Sequence, residues 1–242
     1  MDAVYKDRVA DSPRRGKPAS WIGAGLVFLS LLGLAQAQET LPPFGGSSTS
    51  PRVATVTFTY SKWDAHPPYY SITVSSMGNT TYRAQADSEQ STGDPYLLEF
   101  VASQATRSRI FDLAARARFF RRSFGLSAAT PTASASMTLQ FAEGSDVHSI
   151  SFASSSNPTI QALVTLFQRM AATVQLGRRV ARLRASNPAE LGPALKRAVQ
   201  TDGGVLTEFR AIAPTVRQLA GDTQLSDLTR TYARDLLQAN PR

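Results

Sequence analysis

The chain has 242 residues, with two histidines and no cysteine, so the groups able to titrate near neutral pH are few. His148 follows Asp146 at i+2, and on a strand the two would share a face, with the carboxylate placed to orient the imidazole. His66 follows Asp64 at the same spacing, inside Ser61-Lys62-Trp63-Asp64-Ala65-His66-Pro67-Pro68-Tyr69-Tyr70. Either pair offers two metal donors, short of the three or four protein ligands that zinc requires. Neither is accompanied by a G-x-S-x-G turn, a P-loop, a dinucleotide glycine pattern or a zinc motif. A hydrolase using His66 with Asp64, or His148 with Asp146, is therefore the second reading. We assign no catalytic residue, metal or cofactor from the sequence.

Binding chemistry has more to work with. Trp63, His66, Tyr69 and Tyr70 bring flat rings to one short connection, where they could stack on a ligand or on their own sheet. Residues 104–122 hold Arg107, Arg109, Arg116, Arg118, Arg121 and Arg122 against one acid, Asp112. Residues 158–189 hold Arg169, Arg178, Arg179, Arg182 and Arg184 and no acid. Surface helices usually mix signs, so two single-sign segments are unusual. Placed side by side, Arg116, Arg118, Arg121, Arg122, Arg178, Arg179 and Arg182 would attract an anionic partner. The competing arrangement pairs them with the acids of the tail: Glu190, Glu208, Asp222, Asp227 and Asp235.

The N-terminus bears on which partner is met. Arg14, Arg15 and Lys17 precede an apolar run from Trp21 to Ala35, and Ala35-Gln36-Ala37 matches a small-residue cleavage site, so residues 1–37 read as a secretory signal peptide. A run of fifteen residues is shorter than the roughly 20 a spanning helix needs. Cleavage would leave 205 residues (242 minus 37). The leader has five Lys/Arg against three Asp/Glu, so the mature charge is +6, from +8 for the whole chain. Residues 38–51, with Pro42-Pro43, Gly45-Gly46 and a Ser/Thr cluster, read as a flexible linker. An exported protein seldom meets nucleic acid, so an anionic envelope component or an acidic protein is the expected partner, with no transmembrane segment after cleavage.

The elements that must position these groups follow from periodicity. Val56, Phe58 and Tyr60 alternate with threonines. Tyr70, Ile72 and Val74 make a second strand, Thr80–Ala84 a third, and Leu98, Phe100 and Ala102 a fourth. Asp87–Pro95 reads as a polar loop. Ser103 is placed to cap a helix that ends near Phe119-Phe120, and 123–134 reads as a loop. Met137, Leu139 and Phe141, then His148, Ile150 and Phe152, form a hairpin around the four-residue turn Glu143-Gly144-Ser145-Asp146. Asn157-Pro158 opens a long helix whose face carries Ile160, Leu163, Phe167, Met170, Val174, Gly177 and Ala181. Asn187-Pro188-Ala189-Glu190 resembles a capping box, and Ser226 caps a last helix.

This order predicts an α+β fold: an antiparallel sheet of about six strands covered by two long helices over residues 52–185, then a small C-terminal helical bundle over 186–242. Arg109-Ile110-Phe111-Asp112-Leu113-Ala114 after a strand, His148-Ser149-Ile150-Ser151-Phe152 and Asn157-Pro158 together resemble a group of exported bacterial α+β proteins of unassigned function, from Val53 to about Arg184. The resemblance implies a fold and a compartment and carries over no catalytic residue. The reading is an exported, non-catalytic binding or interaction protein, with its oligomeric state open.

Overall fold

The computed structural model describes residues 52–85, 95–122, 126–127 and 135–241, so the expected leader and linker and nearly all of the expected Asp87–Pro95 loop lie outside the described residues. The described residues fall within one compact unit, Ser48–Arg242. Strands β1 (Ala54–Ser61), β2 (Tyr69–Ser75), β3 (Asn79–Ala84) and β4 (Tyr96–Val101) precede helix α1 (Gln104–Arg116). The pair β6 (Ser136–Glu143) and β7 (Asp146–Phe152) precedes helix α2 (Pro158–Ser186). Short strands β5 (Leu126–Ser127) and β8 (Ser154–Ser155) pair with each other, and α3 (Leu191–Gln200), α4 (Ala213–Gly221) and α5 (Asp227–Ala239) complete the chain. The fold is α+β, around a six-stranded antiparallel sheet of order β4-β3-β2-β1-β6-β7.

Alternation decides the faces. Phe58 lies opposite Ile72 on one side and Leu139 on the other, and Leu139 lies opposite Ile150. All four are buried, on the face that the helices cover. The interleaved hydroxyls take the other face, where Thr57 meets Thr73 at 3.0 Å and Thr138 meets Ser151 at 2.8 Å.

Helix α2 begins as its sequence dictates. The Asn157 side chain accepts from the N–H of Thr159 (2.9 Å) and of Ile160 (3.3 Å), and Pro158 gives up an N–H that would have had no partner. Ile160, Leu163, Phe167, Met170 and Val174 are each fully buried, and Phe167 stacks on Phe58 at 5.5 Å between ring centres. Rings and hydrogen bonds trace the helix across the sheet, from Phe58 on β1 to Tyr82 on β3 and Tyr96 on β4. Helix α1 leaves β4 and returns towards β6, where Phe119 packs on Phe141 at 4.5 Å. The far end of α2 turns to a second apolar cluster, in which Val180 joins Leu191, Leu195, Phe209, Ile212, Val216, Leu219 and Leu236.

Several expectations are corrected. Ala181 is exposed and Val180 takes its place in the core, because the partner of α2 changes from sheet to tail and the buried stripe rotates. The hairpin turn has two residues, since Glu143 pairs with Asp146 and only Gly144, at φ +60°, and Ser145 lie between. Helix α1 stops at Arg116, and Arg118, Phe119 and Phe120 follow with φ of +50°, +52° and +64°, a reversal that drops Phe120 into the core. Leu126 and Ser127 lie in a strand where a loop was expected. Asn187 makes no side-chain capping bond; a single 3-10 turn, Pro188–Glu190, leads into α3 instead.

Candidate functional site

The connection from β1 to β2 is closed by the Lys62 N–H donating to the Pro68 carbonyl (2.8 Å) and the Ala65 N–H donating to the Lys62 carbonyl (3.1 Å). This turn, with a cis peptide between His66 and Pro67, stands beside the middle of α2. Between them lies a cleft of about 540 Å³ lined by His66, Pro67, Gln175, Arg178, Arg179 and Arg182, with Ala172 and Leu176. A hollow of about 230 Å³ shares His66, Pro67, Ala172 and Gln175 and adds Tyr60, Tyr70 and Gln168. The shared walls make the two one groove along α2.

Its floor is built by strand register. Tyr60 lies opposite Tyr70, while Tyr70 and Tyr96 both lie opposite Ala84, two residues from Tyr82, so the rings reach one another directly or diagonally. Tyr60–Tyr70, Tyr70–Tyr82 and Tyr82–Tyr96 centres are 5.2, 6.0 and 6.0 Å apart. The row ends under Arg178, whose guanidinium carbon is 4.8 Å from the Tyr96 ring centre, a cation–π contact. Gln175 Nε2 donates to the Tyr82 hydroxyl at 3.2 Å. Burial pushes the Tyr70 phenol well above its usual range, with Tyr82 and Tyr60 adding to the shift. Burial also raises Tyr96, against a smaller pull downward from Arg178. These phenols therefore stay neutral, and the groove's charge comes from its arginines.

Arg179 and Arg182 are exposed and Arg178 is half-buried. Among the described residues no Asp or Glu lines the groove. Arg184, one turn further on, is held by Asp222 at 2.8 Å. The other tail acids with recorded bonds look elsewhere. Asp227 pairs with Arg230, while Glu208 takes the Ser103 hydroxyl (2.7 Å) and N–H (3.0 Å) at the start of α1.

Of the residues singled out from sequence, His66, Tyr70, Arg178, Arg179 and Arg182 meet at this groove. Trp63 is 85% exposed, and Tyr69 projects to the opposite sheet face from Tyr70. The other arginine segment lies at the far edge of the sheet. Arg121 is anchored on β7 while Arg178 sits over β4, five strand spacings or about 24 Å away. Arg116, Arg118 and Arg122 are exposed near Arg121 in sequence. The two segments do not combine into one face.

The acid–base pairs fare differently. Asp64 is bound to Lys62 at 3.3 Å. Asp146 and His148 share a strand face, with Nε2 of the imidazole 2.7 Å from Asp146 Oδ1 and Arg121 donating to Oδ2 at 2.5 Å. Nε2 also lies 3.1 Å from Arg121 Nε, but one nitrogen cannot donate to the carboxylate and accept from the guanidinium together. The carboxylate's charge favours the Nε2–H donor. Arg121 first, then the neighbouring His148 charge, hold the Asp146 carboxyl below its usual range. Ser149 alternates to the opposite face, and among the described residues no hydroxyl is hydrogen-bonded to either imidazole.

Sequence reasoning missed Tyr60, Tyr82, Tyr96, Gln168 and Gln175. The available signal was that Tyr60, Tyr70, Tyr82 and Tyr96 all fall on inward positions of their strands. The chain matches no known family model and no curated protein. No described helix is long and apolar enough to cross a membrane, and among the described residues no cluster of three or more His, Asp or Glu could hold a metal ion.

Proposed function

We propose that this is an exported binding protein that holds an anionic ligand in the groove between the β1–β2 turn and α2. One observation carries the reading: His66 of the β1–β2 turn and Arg178, Arg179 and Arg182 of α2 line one concave site. Guanidinium groups bind carboxylate or phosphate with paired, directed hydrogen bonds, and a recess strengthens them by excluding water. The groove, rather than both arginine segments together, is the contact surface. Concavity favours a chain or small molecule over a flat bilayer.

The architecture suits this role. The sheet is the floor, the β1–β2 turn and α2 form the walls, and we read α3–α5 as a small bundle that fixes the distal half of α2. We read export from the Arg14-Arg15-Gly16-Lys17 segment, the apolar run and Ala35-Gln36-Ala37, and an exported protein would meet anionic envelope components.

Isothermal titration of the purified chain with inorganic tripolyphosphate, at low and high salt, tests the reading. Saturable binding that weakens with salt and drops about tenfold in Arg179→Ala supports it. Equal affinity in wild type and Arg179→Ala, or no heat at low salt, would count against it.

A further inference from the structure

We infer that the sheet carries a second binding site, on the face its helices leave uncovered, and that this site takes a small aromatic carboxylate. It lies on the opposite side of the sheet from the groove and does not depend on it. The odd-numbered residues of β2, β3 and β4 turn to this face, because side chains alternate along a strand. Elsewhere the face carries paired hydroxyls, Thr57 with Thr73 and Thr138 with Ser151. At the β4 corner it carries Tyr69 and Leu97 instead, 40% and 49% exposed, on either side of a recess of about 550 Å³.

Register builds the recess. Arg83 lies opposite Ser71 on β2 and Leu97 on β4. The Gln85 N–H donates to the Tyr69 carbonyl at 3.0 Å, which continues the β2–β3 register by one more pair on this face. Arg83 and Gln85 are therefore successive side chains on this face of β3, about 7 Å apart. Between them Ala84 sends its methyl into the core, where it is 2% exposed, so the recess meets backbone there. Tyr69 walls this gap from β2, and Leu97 with Pro95 walls it from β4, strands about 10 Å apart. One flat ring fits between the walls, over the Ala84 backbone.

Charge sets the other half of the ligand. Arg83 is exposed, and among the described residues no carboxylate pairs with it. Glu99, on the same face of β4, lies one step along, opposite Thr81. The guanidinium fork gives a carboxylate two parallel bonds, and the Ser71 hydroxyl and Gln85 amide are further donors beside it. A phosphate would leave both apolar walls bare. A neutral ring would gain nothing from Arg83. An acyl chain would have to freeze its bonds to lie in the gap, whereas a ring arrives rigid. A carboxylate on an aromatic body uses the whole recess.

The test is a titration of the ¹⁵N-labelled chain, following backbone and arginine Nε–H signals. The probes are 2-naphthoate (ring and charge), 2-naphthylmethanol (ring alone), acetate (charge alone) and the peptide Gly-Gly-Gly-Phe (a chain terminus). The expected result is saturable movement of Arg83, Gln85 and Tyr69 with 2-naphthoate, at a dissociation constant of about 0.1–1 mM, and binding at least about tenfold weaker for the other three. Arg83→Ala should weaken 2-naphthoate about tenfold, and Arg83→Lys, which keeps the charge without the fork, should restore only part of the loss. Tyr69→Ser, which keeps the carbonyl that Gln85 uses, should weaken it about threefold. Arg179→Ala should change nothing. All of these side chains are exposed, and circular dichroism checks each variant's fold.

No signal moved by about 10 mM 2-naphthoate, or equal affinity in wild type and Arg83→Ala, overturns the inference. Acetate or the peptide binding as tightly as 2-naphthoate overturns it too, since the recess would then read a bare carboxylate or a chain end. A loss in Arg179→Ala with none in Arg83→Ala would put the ligand in the groove and overturn this site while leaving the groove's own reading intact.

Discussion

Replacing Gly177 by Ala tests how the tail is fastened to α2, and so how the arginine end of the groove is held. A Cβ built on Gly177 would lie 2.3 Å from Ile212 Cγ2 and 2.9 Å from Ile212 Cβ. Carbon atoms pack at about 3.5–4.0 Å, so Ile212 would have to withdraw by about 1 Å. It cannot do so by swinging a flexible end, because its own Cβ is already too close and it is only 3% exposed in the tail cluster. Overpacking of this kind costs about 1–3 kcal/mol. Against it, Ala in a helix interior gains about 0.5–1 kcal/mol over Gly. The net expectation is about 1–2 kcal/mol of destabilisation, read as a lower midpoint in urea unfolding followed by far-ultraviolet circular dichroism. In an Ile212→Ala background, itself weakened by about 2–5 kcal/mol, the 2.3 Å clash with Cγ2 is gone and only the retained Cβ at 2.9 Å remains, so Gly177→Ala should cost clearly less than in the wild-type chain. If Gly177→Ala is neutral or stabilising in the wild-type chain, or if the two changes add without coupling, Ile212 does not pack on Gly177 as described.

Other outcomes follow from single contacts. Asn157→Ala removes both side-chain bonds at the start of α2 and should cost about 1 kcal/mol, by the same unfolding assay. Glu208→Ala removes two bonds to Ser103 from a residue held at φ +60°; each bond to a charged group is worth about 1.5–3 kcal/mol and alanine, which keeps a Cβ, relieves none of the backbone strain, so a loss of at least about 2 kcal/mol is expected. Protease cleavage near Val205 should also become faster in that variant. The Asp146 carboxyl is held below its unfolded value chiefly by Arg121, so its contribution is present above the unfolded pKa and is lost as pH falls through the lower folded one. Asp146→Asn should therefore reduce stability at pH 7 and not at pH values below both pKa values, and carboxyl NMR titration should lose the depression in Arg121→Gln.

What the sequence disclosed was local. Alternation from Met137 to Phe152 is enough to define the hairpin, and apolar residues three and four apart after Pro158 are enough to define α2 and its buried face, because both patterns arise within one element. Ser103, Asn157 and Ser226 cap their helices for the same reason: the donors they satisfy lie two or three residues away. The groove depends on pairings between elements. Tyr60, Tyr70, Tyr82 and Tyr96 become a row only once four strands adopt their register, and Arg178 reaches Tyr96 only because α2 crosses the sheet to its β4 edge. The two arginine segments look equivalent in the sequence. They differ because α1 returns to one edge while α2 leaves over the other, a consequence of strand order that neither segment encodes. Likewise Ala181 fits the helical stripe and still faces water, since the tail, not the sheet, packs on that turn.

The account stands most directly on whether the arginines of the groove respond to an anion together and apart from the rest. Side-chain Nε–H signals of ¹⁵N-labelled protein, recorded while tripolyphosphate is added, separate them. The expected result is saturable movement of Arg178, Arg179 and Arg182 along one binding curve, with Arg116, Arg118 and Arg122 stationary. Weak, unsaturated drift shared by all the arginines, or movement confined to the Arg116–Arg122 segment, would contradict it.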